Sequence, residues 1–365
     1  IPQTVTYTFT ASGNGCSDVI QNVDVVVNPT PDFTITNNLP TINNGEETDI
    51  LIETPTLNGQ VTIKSVTVPA GITGNSGVGT SFTDGIVLRD VLLNSTNGPL
   101  TVIYEFEAIA NGCINPTTVT ASVTVNPAPQ MTVTNNVPVL CPGSPTDIVV
   151  SSVTTDAVIE LISVNVSPDT LSGITIPGAI WNTFPSTIAD NLVNSTNNIQ
   201  TITYEFEVSA SGFTGTSTQT AVVTVNPTPT QTIVNNDPTI NNGTATDIDI
   251  NTLTENGQVR LKSVSVPAGV TGNTASGTIF TDGAVLADVL LNATTSPQVV
   301  NYEFEAIANG CINPVTIIEN VTVIPSADMT VTNNSPFFCS DGFTNIELTS
   351  STAGAVIELI STNTT

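Results

Sequence analysis

The stretch from Tyr104 to Pro127, YEFEAIANGCINPTTVTASVTVNP, constrains this chain more than any other. Val102, Tyr104, Phe106 and Ala108 fall on alternate positions, with Glu105 and Glu107 between them. A period of two sets one face against a core and the other in water, which is strand behaviour and not helix behaviour. Asn111-Gly112 then offers two residues that tolerate positive φ. Beyond it Val119, Ala121, Val123 and Val125 alternate with Thr and Ser until Asn126-Pro127. Proline has no N–H to give to a ladder, so the hairpin stops there.

The same stretch recurs. Tyr104 is matched by Tyr204 and Tyr302, and by Tyr7 in the shorter form YTFTASGNGC. The closing proline returns at Pro29, Pro127, Pro227 and Pro325, at spacings of 98, 100 and 98 residues. A repeat of that length is a whole domain. The 365 residues therefore divide into three complete modules, 30–127, 128–227 and 228–325. They are flanked by the terminal hairpin of a first module (1–29) and the opening part of a fifth (326–365). Ile1 aligns with the entry to a module's penultimate strand, and Thr365 follows a stretch matching Val158 to Ser163, where a strand is expected. The expectation is a segment of a longer polymer whose export signal and anchor lie elsewhere.

Within 30–127 the strand candidates are Phe33–Thr36, Asp49–Ile52, Val61–Val68, a segment around Ile86–Leu88 and Val91–Leu93, and the terminal hairpin. About seven short strands at 8–15-residue spacing, with no helical period, predict an all-β chain of tandem immunoglobulin-like sandwiches. Modules two and four are near-copies, since YEFEAIANGCINP stands at 104–116 and again at 302–314. Module three and the start of module five form the other type, with AVIELIS at 157–163 and 355–361. The true repeat is thus a pair of unlike modules, a pattern that disfavours strand swapping between neighbours during folding.

Charge narrows the partners. Asp and Glu number 31 against four Lys and Arg, giving a net charge of −27. Such a chain repels nucleic acid and anionic membrane surfaces. Histidine is absent, which excludes Ser-His and Cys-His pairs and histidine metal sites. Glu105 and Glu107 read as a solvated strand face, and no Gly-rich phosphate loop opens a helix. An enzyme is not expected. No apolar run reaches the length needed to span a bilayer as a helix.

An acidic residue before an apolar stretch and Asn occurs as DVLLNST at 90–96, DNLVNST at 190–196 and DVLLNAT at 288–294. TVIYEF or TITYEF follows, then NGC, a Thr/Val strand and VNPTP or VNPAP, with a cysteine in Leu140-Cys141-Pro142-Gly143. This combination resembles the PKD-like (Ig-like) repeats of giant secreted Bacteroidota surface proteins, such as gliding-motility adhesins. The resemblance covers essentially the whole chain. It implies export by the type IX system, extension from the outer membrane, and no catalytic residues. Phe213 departs from the pattern where the NGC cysteine belongs, as do Asn43 and Asn241 where Cys141 would sit.

Five cysteines are present: Cys16, Cys113, Cys141, Cys311 and Cys339. In a sandwich the last hairpin turn faces the preceding module, and the turn after the first strand faces the following one. Cys16, Cys113 and Cys311 hold the hairpin position, Cys141 and Cys339 the first-turn position. An inter-module disulfide Cys141–Cys311 follows from that placement, with the other three paired outside this sequence. At the junction of modules two and three both positions lack cysteine, as Asn43 and Phe213. Sequence-near pairs, Cys113–Cys141 and Cys311–Cys339, remain open alternatives, as do free thiols. Disulfides need an oxidising, exported setting.

Further candidates are weaker in kind. Lys64 and Lys262 stand where module three has Ile162, in phase with Val66 and Val264; an inward lysine could form an isopeptide bond with Asn, against a stem lying along the sheet with its ammonium in water. Asp32, Asp237 and Asp328 lie near junctions as candidate oxygens for structural calcium, but no dense Asp-x-Asp-x-Asp loop exists; no cofactor is otherwise expected. Trp181, the only tryptophan, is a candidate ligand contact or, with Phe184, a local apolar plug. Sequons such as Asn94-Ser95-Thr96 read as turn chemistry. Asp169-Thr170-Leu171 resembles an O-glycosylation motif used by Bacteroidota. The expected role is the shaft of a long extracellular filament whose partners are neighbouring modules. Glycan- or partner-binding modules, and lateral association of copies of the chain, are the alternatives.

Overall fold

In the structure, a computed structural model that describes residues 1–211 and 213–363, regular structure is entirely β. No helix in it is long and apolar enough to cross a membrane. Three separate apolar cores form, within 33–125, 131–225 and 233–323.

Residues 232–324 illustrate the architecture. Thr232–Asn235, Ile248–Asn251 and Ala284–Leu286 make a three-stranded sheet. Thr239–Asn241, Cys311–Ile324, Gln298–Ala308, Gly257–Ser265 and Ile279–Thr281 make a five-stranded one, in that order. Val259, Leu261, Val300, Tyr302, Phe304, Val321 and Val323 line its inner face, fully buried against Ile248 and Ile250 of the other sheet. The intervening residues, Asn301, Glu303 and Thr322 among them, lie on the outer face, where Glu305 is buried and paired with Arg260. This is the immunoglobulin-like sandwich expected from the sequence.

The first strand is split between the two sheets. After Asn235 the chain crosses over and Thr239–Asn241 pairs parallel to Cys311–Ile324. Pro238, which cannot donate, sits at the crossing and offers only its carbonyl, accepting the Thr322 N–H at 2.9 Å. Pro40 and Pro138 do the same for Thr124 and Thr224 in the earlier modules. These two- and three-residue strands are absent from the sequence-based strand set, as is Ile72–Thr73, which pairs with Leu93–Asn94. Their runs are too short for periodicity to show.

Of the two readings of Lys64 and Lys262, the one that leaves the ammonium in water holds; what is corrected is their phase with Val66 and Val264. The ladder slips by one residue between Leu261 and Ser263, and likewise around Lys64, so each lysine is the extra residue of a β-bulge. A bulge shifts the phase, and the side chain points to solvent. Lys262 Nζ instead donates to Glu303 at 2.8 Å, and that bond raises the ammonium and lowers the carboxyl from their ordinary values. One further expectation is corrected: 355–361 is not a strand. Its counterpart Ala157–Ser167 pairs with Gln200–Ala210, whereas 355–361 joins no ladder among the described residues.

A buried polar network is repeated in each complete module and explains the motif DVLLN. Tyr104, Tyr204 and Tyr302 are fully buried and donate to Asp90 (2.5 Å), Asp190 (2.7 Å) and Asp288 (2.7 Å). Each Asp also accepts a backbone N–H and a hydroxyl, from Ser76, Thr175 and Thr274. A buried threonine completes the set. Thr48, Thr146 and Thr246 accept the Asp N–H and donate to a strand carbonyl. Burial first, then the bond to the carboxylate and its charge, push all three phenols far above their usual range. Four residues on, Asn94, Asn194 and Asn292 donate to the carbonyl of the last strand and accept from Thr96, Thr196 and Thr294. These three sequons are turn chemistry, their amides spent on buried bonds.

Candidate functional site: the inter-module junction

The linkers are short, and they are not loose. Pro127 and Pro129, and again Pro227 and Pro229, are buried on either side of a single intervening residue. Each following module grips its linker. Asn115 Nδ2 donates to Pro31 O and Asn313 Nδ2 to Pro229 O, both at 2.8 Å. Module three has no such asparagine; there Gln219 donates to Met131 O at 2.8 Å and accepts the Val133 N–H.

One backbone bond recurs at every junction where both halves are present. The loop after the motif asparagine reaches a tight turn of the next module, in module three the one between Ile148–Ser151 and Ala157–Ser167: Thr155 N–H to Asn97 O, Glu255 N–H to Asn197 O, and Ala353 N–H to Thr295 O, each 2.8 Å. The turns and the loops both lie at sandwich ends, so one contact fixes end to end. At the junction of modules three and four Glu255 also accepts the Ile199 N–H through its carboxylate at 2.8 Å.

The hairpin turn supplies the second contact. Asn111 and Gly112 adopt φ of 49° and 80°, the left-handed pair that a two-residue hairpin turn needs. Asn58 donates to the Asn111 side chain, which donates back to Leu57 O, locking the turn to the sandwich end. Its carbonyl is thereby presented to the previous module, where Asn28 Nδ2 donates to it at 3.1 Å. Asn256, Asn309 and Glu255 repeat the lock in module four, and Asn226 reaches Asn309 O.

At the junction between 227 and 229 this contact is covalent. Cys141 and Cys311 are bonded, with an S–S distance of 1.98 Å and Cα atoms 5.5 Å apart. Cys311 is buried in the turn and Asn226 lies 3.5 Å from its sulfur. The sequence-near alternative Cys113–Cys141 is thereby excluded, and Cys311–Cys339 with it. Cys16, Cys113 and Cys339 are unbonded among the described residues, the first and last of them exposed. At the preceding junction the equivalent positions hold Asn43, which accepts from Asn126 at 3.3 Å, and a half-buried Phe213.

The other candidates go elsewhere. Trp181 pairs opposite Ile159 and packs edge-on to Phe206, ring centroids 6.0 Å apart, with Phe184 against the same core. Half-buried, it closes a core edge. Asp32, Asp237 and Asp328 are not brought together, and no group of three or more Cys, Asp or Glu placed to hold a metal occurs among the described residues. Asp328 caps its own turn, accepting from Ser350, Ser351 and Thr352, and these bonds hold its carboxyl well below the usual range. Thr170 of the Asp169-Thr170-Leu171 stretch is exposed.

No family model and no curated protein matches the chain. Solved structures similar to it include a three-Ig stretch of titin, at 11% identity and a TM-score of 0.42, covering 80% of this chain and 98% of that one. Drosophila N-cadherin EC1-4 is similar at 11% identity and a TM-score of 0.30, over 89% of this chain and 83% of that one. Invasin, described as a bacterial integrin-binding protein, is similar at 16% identity and a TM-score of 0.30, over 89% and 66% respectively.

Proposed function

We propose that the chain is part of the load-bearing shaft of a long extracellular filament or adhesin, whose modules act as struts in series. The observation that carries this reading is the junction. The same interlock of loop carbonyl and turn N–H joins successive sandwiches three times, around linkers whose prolines are buried. Bending such a joint breaks hydrogen bonds, so the string resists folding back on itself. The disulfide supports an exported, oxidising setting. Resemblance of the sequence to PKD-like repeats of Bacteroidota surface proteins supports a cell-surface location, type IX export and a part in adhesion or gliding. On this reading Cys16, Cys113 and Cys339 bridge to modules beyond this sequence, and four basic residues leave few sites for trypsin-like proteases.

Small-angle scattering of the purified chain tests the proposal. An elongated particle whose length grows in step with the number of modules is the expected result. A particle no longer than two modules would mean that the beads pack side by side, and the strut reading would fail.

A further inference from the structure

We infer that the Cys141–Cys311 bridge is an extension limiter: it takes nearly all of modules three and four out of the path along which tension travels. The inference rests on the load-bearing reading above and concerns how load would pass. Cys141 lies near the entry of module three, just after its short parallel strand Val139–Leu140. Cys311 begins the last strand of module four, Cys311–Ile324. The bonded pair is 170 residues apart in sequence, yet it spans a single junction.

Tension entering at Pro127 therefore runs along 128–140, crosses the sulfur–sulfur bond, and leaves along 312–325. Everything between the cysteines hangs off that path as a closed loop. At roughly 3.4 Å per residue, about 580 Å of contour is withheld. Force can peel Thr132–Asn135 and Val139–Leu140 from module three and Cys311–Ile324 from module four, releasing about 90 Å in all. It cannot draw out the strands carrying Tyr204 and Tyr302, so the remaining chain stays next to the sites from which it refolds. Within this sequence module two has no such bridge: Asn43 and Phe213 stand at its junction with module three, and Cys113 is unbonded. It yields its full contour of about 330 Å between Pro29 and Pro127. One extensible module here precedes a covalently limited pair.

Single-molecule stretching of the whole chain, held by peptide handles at its termini and not through cysteine, decides the matter. Oxidised protein is expected to give one increment of module length and none above about 90 Å from the pair. Three module-length increments from the oxidised protein would overturn the inference. The double variant Cys141→Ser with Cys311→Ser should restore three such increments. Wild type unfolded and refolded in dithiothreitol, which opens the buried bridge without any substitution, should match it. An unchanged record after verified reduction would also overturn the inference. Scattering reports shape whether or not the bridge limits extension, so failure here is separable from failure of the strut reading.

Discussion

The junctions on either side of module three use the same backbone interlock, Thr155 on Asn97 and Glu255 on Asn197, yet only one of them is covalent. The difference lies in two side chains on each side, Asn43 and Phe213 against Cys141 and Cys311. Orientation is therefore set by hydrogen bonds that both joints share, and the bridge adds something else. It adds connectivity. A disulfide acts mainly on the unfolded chain by forbidding separations that an open chain would explore.

Breaking the bridge should have the largest effect. With Cys141→Ser and Cys311→Ser, the loop-entropy argument for a separation of 170 residues puts the loss for the module three–four pair at about 5 kcal/mol. Module two should unfold at its former denaturant midpoint. Urea unfolding followed by limited proteolysis separates the two; a shift in module two of equal size would mean that the joints are energetically coupled throughout.

Next in size are the buried aspartates, which both joints' modules share and which should therefore erase the contrast. Asp190→Ala strands the Tyr204 hydroxyl and the Thr175 N–H in a dry core, at about 3 kcal/mol. Asp90→Ala in module two should cost the same, since the networks are copies. A much smaller loss in module three than in module two would show that the bridge masks core damage.

Alkaline pH sharpens the same point. The three phenols are raised in the folded state, so their contribution is intact below the unfolded tyrosine value near 10 and is lost as pH climbs beyond it. Ultraviolet titration should show phenolate of Tyr104, Tyr204 and Tyr302 appearing together with loss of β signal. Ionisation of these residues in a still-folded chain would contradict their burial.

The strands with clear alternation, the Asn111-Gly112 turn, the module repeat and the Cys141–Cys311 pairing can all be read in the sequence, because each rests on a period or on which sandwich end a turn occupies. The lysines could not. A single extra residue in the ladder reverses which face Lys64 and Lys262 serve, and no local residue pattern announces it. The Asp–Tyr bond hid for a related reason. DVLLN and YEF are both visible as motifs, but a carboxylate 14 residues before a tyrosine shows no partnership until the sheets stack. The interlock of Asn97 with Thr155 uses backbone atoms alone, so no side-chain signal could have marked it.

The smallest expected effect concerns the asparagines that grip the linkers. Asn313→Ala removes one bond to Pro229 O, next to the covalent joint, and Asn115→Ala removes its twin at Pro31 O. Each loses about 1 kcal/mol of its own module, the net worth of one hydrogen bond. Their effects on shape should differ. Beside the bridge the joint has a second tether, so the angle between modules three and four should hold. At Pro31, among the described residues, the side-chain bond left to tie the hairpin of residues 3–27 to module two is Asn28 on Asn111 O. Residual dipolar couplings should report a broadened angle for Asn115→Ala and an unchanged one for Asn313→Ala. Equal broadening at both would show that the sulfur bridge leaves the joint's angle free, and that the asparagine grip alone sets the direction of the strut.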